Sequence, residues 1–260
     1  MLVYSLAAPR RTTPDGKTYS SVLKTQDKVY TNKTIDLKTN TVSEVTISPA
    51  TEDEVFQTIK VMGGEDWKDW IQALKNADVL DEHFITVAYS YIGPELTHPI
   101  YKNGSIGMAK AHLYRTAKEI TEEFPQVNAY ISVNKALVTQ SSAAIPIVPL
   151  YISILYKVMK EKQVHEGCIE QMYRLFHDKL FGNSPVLDSE GMIRLDDLEM
   201  QTDIQSAVEN AWNSINTENL KDYADISGYW EDFFEMFGFG IAGIDYKKDT
   251  DIQVQIPSID

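Results

Sequence analysis

The stretch Phe84-Ile-Thr-Val-Ala-Tyr-Ser-Tyr91 decides the fold. It is short, apolar and rich in β-branched and aromatic residues, the composition of a buried strand. Two further runs read the same way: Leu2 to Ala7, and Asn128 to Val138, of which Ala129-Tyr-Ile-Ser-Val133 is the surest part. Helical patterns separate the three runs. Strands that alternate with helices predict an α/β sheet. The expected C-terminal ends of the strands are Leu6-Ala7, Tyr91 and Leu137-Val-Thr139. Open parallel sheets bind ligands outside that edge, so these residues become candidates for a site.

Outward from the strands, Pro9 to Asp15 reads as a loop that ends at Pro14-Asp-Gly16. Lys33 to Ile47 carries β-branched residues on both sides of Lys38-Thr-Asn-Thr41, a hairpin pattern. Thr51-Glu-Asp-Glu54 is a capping box, so a helix is expected to run toward Val61 and to break at Gly63-Gly64. A second helix carries Trp67, Trp70, Ile71 and Leu74 at helical spacing, with the tryptophans expected in the core. Pro149 to about Lys162, Glu166 to Phe181, Asp203 to Ile215, Glu218 to Tyr223 and Trp230 to Phe237 read as helices. Asn183-Ser-Pro185 and Ser189-Glu-Gly191 mark a loop or small hairpin. One domain is expected over 1–260, with the sheet and its insertion in 1–140 and a mainly helical region in 141–260.

The composition is that of a soluble globular chain: 43% apolar and 24% charged residues in 260. A net charge of −14 argues against a nucleic-acid partner, because phosphate contacts need a basic face. The single cysteine, Cys168, rules out an internal disulfide, fits a reducing cytoplasm and is expected to be buried. The longest apolar stretch, Ala143 to Tyr156, holds two prolines and is too short for a membrane span. It reads as a buried helix near a lipophilic pocket. Histidines are scattered and no metal site is expected. Asp196-Asp197 and Glu52-Asp53-Glu54 read as solvated surface.

The chemistry-bearing pattern is Ile100-Tyr-Lys-Asn-Gly-Ser-Ile-Gly-Met-Ala-Lys110, preceded by Tyr91. A phenol can donate a proton to an oxygen that gains charge, and a nearby ammonium lowers the phenol's pKa and can hold a cofactor hydroxyl. That pairing suits reduction of a carbonyl or of a double bond conjugated to one. The competing reading is one exposed lysine and two packing tyrosines. On a straight helix, nine steps rotate by about 900° and rise about 13 Å, so Tyr101 and Lys110 converge only if the chain bends. Asn103-Gly104 can supply the bend through left-handed dihedrals, and Ser105 can cap the helix that follows.

Gly63-Gly-Glu-Asp-Trp67, Tyr89-Ser-Tyr-Ile-Gly93, Tyr101-x8-Lys110, Ser132-Val-Asn-Lys-Ala-Leu-Val-Thr139 and Lys157-Val-Met-Lys-Glu-Lys162 with His165-Glu-Gly-Cys-Ile-Glu170 occur in one order. Together they resemble the FabV-type enoyl reductases and trans-2-enoyl-CoA reductases, which are enlarged short-chain dehydrogenases. The resemblance runs from Leu2 to about Tyr246. It implies the C-terminal portion of a Rossmann-type parallel sheet, with a β-hairpin insertion and extra C-terminal helices. It implies NADH-dependent reduction of the trans-2 double bond of an enoyl thioester in fatty acid synthesis, in the cytoplasm, with coenzyme A or acyl carrier protein as the carrier. By resemblance, Tyr101 matches the proton donor, Tyr91 a substrate-binding tyrosine, and Lys110 the lysine on the nicotinamide ribose. Leu6, Ala7, Leu137, Val138 and Thr139 match cofactor-lining positions.

Family members carry a dinucleotide-binding half ahead of the segment that matches Val3-Tyr-Ser-Leu-Ala7. No G-x-G-x-x-G follows a strand here; Gly238-Phe-Gly240 is the nearest look-alike and lies after an aromatic helix. The chain therefore reads as about the C-terminal two-thirds of the family plan, with its own missing N-terminal half as an expected partner. The alternative is a catalytically incomplete fragment that acts only as a folded or partner-dependent substrate domain.

Overall fold

The computed structural model describes residues 1–5, 8–182, 184–251, 253 and 255. A parallel four-stranded sheet stands at its centre, in the order β1 (Leu2–Tyr4), β6 (Phe84–Ser90), β7 (Val127–Val133), β8 (Ile193–Arg194). Between β1 and β6 the chain forms two hairpins, β2 (Arg10–Thr12) with β3 (Thr18–Ser20) and β4 (Tyr30–Asp36) with β5 (Thr41–Ile47), and the helices α1 (Glu52–Met62) and α2 (Glu65–Asn76). Helix α3 (Ser105–Glu123) crosses from β6 to β7. The helical region follows: α4 (Gln140–Ala143), α5 (Val148–Glu161), α6 (Cys168–Tyr173) continuing into a π-helical segment (Arg174–Leu180), α7 (Thr202–Ser214), α8 (Leu220–Tyr223) and α9 (Ile226–Glu235).

Both faces of β6 are covered, which explains why its sequence is apolar throughout. Phe84 and Ala88 pack with Trp67, Ile71, Leu113 and Ile120 of α2 and α3. Thr86 on that face accepts a 2.8 Å hydrogen bond from Trp67 Nε1, so the buried indole is satisfied. Val87 on the other face packs with Leu175 and Leu180 of the π-helical segment and with Ile193 and Leu195. A third cluster surrounds α5, which is buried on nearly all sides and meets Ile204, Val208 and Trp212 of α7, Tyr229 of α9, and Ile35 and Ile47 of the hairpin. Lys33 of β4 donates to the carbonyls of Trp212, Asn213 and Ile215 at 2.7, 3.2 and 3.0 Å, capping the C-terminus of α7 where a cation is favoured.

The α/β class, the hairpin insertion and the capping box hold: Thr51 accepts from the Glu54 N–H and Glu54 accepts from the Thr51 N–H. Several expectations change. The first described strand ends at Tyr4, and Leu6 and Ala7 lie outside the described residues. The segment expected as a loop at Pro9 to Asp15 contains β2, whose Arg-Arg-Thr composition hides its pairing. β7 ends at Val133 rather than Val138: the Asn134 N–H still donates to the Ser90 carbonyl at 2.8 Å, but the Lys135 and Ala136 N–H groups donate to side chains, Gln171 at 2.9 Å and Glu199 at 2.7 Å. Of the two forms expected around Ser189-Glu-Gly191, the described residues show the loop, and β8 after it adds parallel to β7. Trp70 is 53% exposed while Trp67 is fully buried, and Cys168 is exposed. Asp196 is buried rather than solvated, neutralised by Arg194 at 2.6 Å.

Candidate functional site

A cavity of about 480 Å³ opens at the C-terminal ends of the strands. Ser5 follows β1, Tyr89, Ser90 and Tyr91 end β6, and Asn134 to Leu137 follow β7. Tyr101 and Lys110 enter from the α3 side, Thr139 to Ser142 from α4, and Ile145, Val148 and Ile152 give it an apolar wall. The site thus lies where an open parallel sheet places ligands, with polar groups on one side and aliphatic groups on the other.

The bend that brings Tyr101 and Lys110 together has a different cause from the one expected. Gly104 is extended at φ −99° and ψ −174°, not left-handed, and it caps α3, with Ser105 as the first helical residue. Ser105 Oγ instead donates to the Val22 carbonyl and accepts from the Lys24 N–H at 3.2 Å, tying the helix start to the segment before β4. Gly107 makes the tight bend possible. A Cβ there would overlap the Lys102 carbonyl oxygen and meet the Tyr101 carbonyl oxygen at 2.6 Å. Gly93, at φ +74°, lets the chain turn back after Tyr91, where a Cβ would meet Tyr91 Oη at 2.8 Å.

Tyr91 and Tyr101 meet edge to face, with ring centroids 4.9 Å apart. Lys110 Nζ donates to the Tyr89 carbonyl at 3.3 Å. Desolvation lowers the Lys110 ammonium to about 8. Burial pushes the Tyr101 phenol up to about 12, with a smaller contribution from Tyr114. The expected lowering of the phenol by the ammonium is therefore reversed: removal from water dominates, and Lys110 is engaged with Tyr89. Tyr101 is held as a protonated donor, the state a proton-giving role requires.

Of the other sequence candidates, Leu137 and Thr139 line the cavity. Thr139 also caps α4, accepting from the Ser142 N–H at 2.9 Å. Val138 does not line it: its side chain is buried, and its N–H donates to Tyr156 Oη at 3.2 Å. Sequence reading missed a buried polar floor. Glu199 accepts from Tyr151 Oη at 2.6 Å, Tyr91 Oη at 3.2 Å and the Ala136 N–H at 2.7 Å. Lys135 is 2% exposed and donates to the Ala136 carbonyl at 2.9 Å, with its ammonium 4.8 Å from the centroid of the Tyr156 ring. Lys135 sits inside the Ser132 to Thr139 run, but nothing in the sequence marks Glu199 apart from the acidic residues just before it. Among the described residues no cluster of His, Cys, Asp and Glu could hold a metal ion, and no helix is long and apolar enough to cross a membrane.

Residues 1–181 match the family model described as trans-2-enoyl-CoA reductase catalytic region, and 187–250 match one described as enoyl reductase FAD binding domain. The chain is 53% identical to the NADH trans-2-enoyl-CoA reductase of Ruminiclostridium cellulolyticum over all of its own length and 66% of that protein. It is 54% identical to the NADH enoyl-acyl-carrier-protein reductase of Coxiella burnetii, again over 100% of this chain and 65% of the relative. The crystal structure of Treponema denticola trans-2-enoyl-CoA reductase in complex with NAD superposes with a TM-score of 0.91 at 47% identity, over 95% of this chain and 63% of that one. The chain thus spans about two-thirds of the length of the curated relatives it matches.

The donor set of the cavity fits the nicotinamide and ribose end of a dinucleotide: an ammonium, the hydroxyls of Ser5, Thr139 and Ser142, and the Asn134 amide. The segment that matches the FAD description does not fit a flavin. Ile204, Val208, Trp212, Leu220 and Tyr229 pack around α5, and the hollow beside it carries Lys157 and Lys160 already paired with Glu161 and Asp225 at 3.5 and 2.7 Å, beside Lys221 and Trp230. The matched family model covers most of the sequence, and the sheet carries the same fold as the solved reductases; the chain belongs to the trans-2-enoyl-CoA reductase family.

Proposed function

We propose that this chain forms the substrate side and the nicotinamide-ribose side of an NADH-dependent reductase that saturates the trans-2 double bond of an enoyl thioester in cytoplasmic fatty acid synthesis. The observation that carries the reading is the convergence of Tyr101 and Lys110 on one cavity at the C-terminal edge of the sheet. When bound, NADH would supply the hydride that the β-carbon accepts. Tyr101, protonated and desolvated, hydrogen-bonds the thioester oxygen as enolate charge develops there and yields a proton to it. On collapse of the enol its O–H proton returns to Tyr101 while a proton from solvent adds at the α-carbon, leaving the saturated acyl thioester and the phenol restored. Lys110 binds the ribose hydroxyls, Tyr91 orients the thioester, and Thr139, with the backbone at Leu137 and Val138, holds the carboxamide end. Leu6 and Ala7 stay cofactor candidates on the family resemblance alone. The aliphatic wall of Ile145, Val148 and Ile152 takes the acyl chain, carried on coenzyme A or acyl carrier protein.

A second reading, a folded substrate domain that reduces nothing alone, is favoured by the sheet edge: among the described residues β1 pairs only with β6. One assay addresses both. NADH oxidation with crotonyl-CoA is followed for the chain alone and with a dinucleotide-binding portion supplied in cis or in trans. Turnover that requires the added portion supports an enzyme completed by it, and no turnover in either case supports the second reading. In the active form, Tyr101→Phe should lower turnover about 10²–10⁴-fold while leaving NADH binding nearly intact. Near-normal turnover in that variant would remove Tyr101 from the mechanism.

A further inference from the structure

Glu199 lies in the turn after β8 and is 0% exposed. A buried carboxyl with three donors is ordinarily a satisfied packing group. Here one of the donors is Tyr91, whose side chain lines the cavity edge to face with Tyr101. A phenol has one proton. While Glu199 is a carboxylate it accepts that proton's hydrogen bond, and Tyr91 offers the cavity only its oxygen lone pairs. A carboxylic acid at the same place donates instead. Tyr151 Oη already accepts from Gln205 Nε2 at 3.2 Å and lies beside Tyr91 Oη, so Tyr91 Oη is the freer acceptor for the carboxyl proton. Tyr91 then turns its own proton into the cavity.

We infer that Glu199 is a positioning residue that sets whether Tyr91 presents a hydrogen-bond donor or an acceptor to the thioester oxygen of the substrate. The inference rests on the reductase reading above. No covalent step is involved: solvent supplies the proton, and the change is a reversal of one hydrogen bond. The groups that face Glu199 are Tyr91 after β6, Tyr151 on α5, Lys135 after β7 and Asp196 in its own turn. The Lys135 ammonium and the Tyr151 and Ala136 donors favour the carboxylate. Burial and Asp196 favour the acid, and burial dominates, so the carboxyl lies above its usual range. The donor form of Tyr91 is populated as pH falls through that raised value.

Glu199→Gln tests this directly. The amide oxygen can still accept from the Ala136 N–H, and the amide NH₂ faces the two tyrosines as the acid would. In the active reductase with crotonyl-CoA, wild-type kcat/KM should rise about 10-fold as pH falls through the Glu199 titration, the factor given by one added hydrogen bond of ~1.4 kcal/mol. Glu199→Gln should lose that limb and stay at the low-pH level. A Glu199→Gln profile that keeps the wild-type limb would overturn the inference. A second measurement needs no turnover. Infrared titration of the 260-residue chain should show a carboxylic acid carbonyl band that is lost in Glu199→Gln and shifted in Tyr91→Phe. A band that does not respond to Tyr91→Phe would also overturn the coupling. If the band shifts as expected but no protein reduces crotonyl-CoA, the reductase reading falls, and the substrate role of Tyr91 with it.

Discussion

Replacing Gly107 with alanine probes the bend on which the site depends. Two effects oppose each other. Alanine is the better helix former by about 1 kcal/mol in a helix interior, and less in the first turn where Gly107 sits. Against this, the new Cβ would stand 2.6 Å from the Tyr101 carbonyl oxygen and closer still to that of Lys102, both backbone atoms. Restoring ordinary contact at Tyr101 alone requires a separation of about 0.8 Å. Overpacking of this kind costs about 1–3 kcal/mol, so the clash wins. The melting temperature should fall by about 2–8 °C for a chain of this size. On the proposed reductase reading, displacement of Tyr101 from Lys110 by nearly 1 Å should lower turnover of the active form on the order of 10²-fold. Gly182→Ala is the control: its Cβ would meet only the Asp178 carbonyl oxygen, at 3.7 Å, and both readouts should barely move. Differential scanning calorimetry and crotonyl-CoA reduction measure the two effects. An unchanged or raised melting temperature with full turnover in Gly107→Ala would refute the argument that close backbone approach holds the bend.

Two other outcomes follow from the buried cations. Burial lowers the Lys135 ammonium from 10.5 to about 8, so between those values the unfolded chain binds the more protons and stability rises with pH. Lys135→Met should flatten that rise in denaturant titrations run from pH 7 to 10.5, and an unaltered slope would show that Lys135 is not its source. On the proposed reductase reading, Lys110→Ala should weaken NADH binding and turnover together, because that reading gives Lys110 a ribose contact. Equal NADH affinity and equal rates in fluorescence titration and steady-state assays would make Lys110 a packing residue.

Much of the fold was legible because local chemistry and tertiary structure agree. The run Phe84 to Ser90 is apolar on both faces because helices cover both faces of the sheet. Thr51 and Glu54 sit three residues apart because a helix start needs both groups. β2 and β8 were not legible: one carries Arg10 and Arg11, the other is only two residues long, and each is a strand only because a partner pairs with it. The π-helical turns of Arg174 to Leu180 likewise have no local signature.

The order of Tyr91, Tyr101, Lys110 and Thr139 along the chain, and the family those motifs resemble, are determined by the sequence alone. Their environment is a tertiary matter. The rise of the Tyr101 phenol, against the expected fall, comes from burial, and Tyr101 packs against the cluster built around α5, about 50 positions along the chain. The contact of Tyr91 with Glu199 joins residues 108 positions apart, and that of Ala136 with Glu199 spans 63. Sequence periodicity reports which face of an element is apolar. It carries no information about which distant carboxyl closes over a given phenol, because desolvation and hydrogen bonding depend on the packed neighbours of a group and not on the residues beside it in the chain.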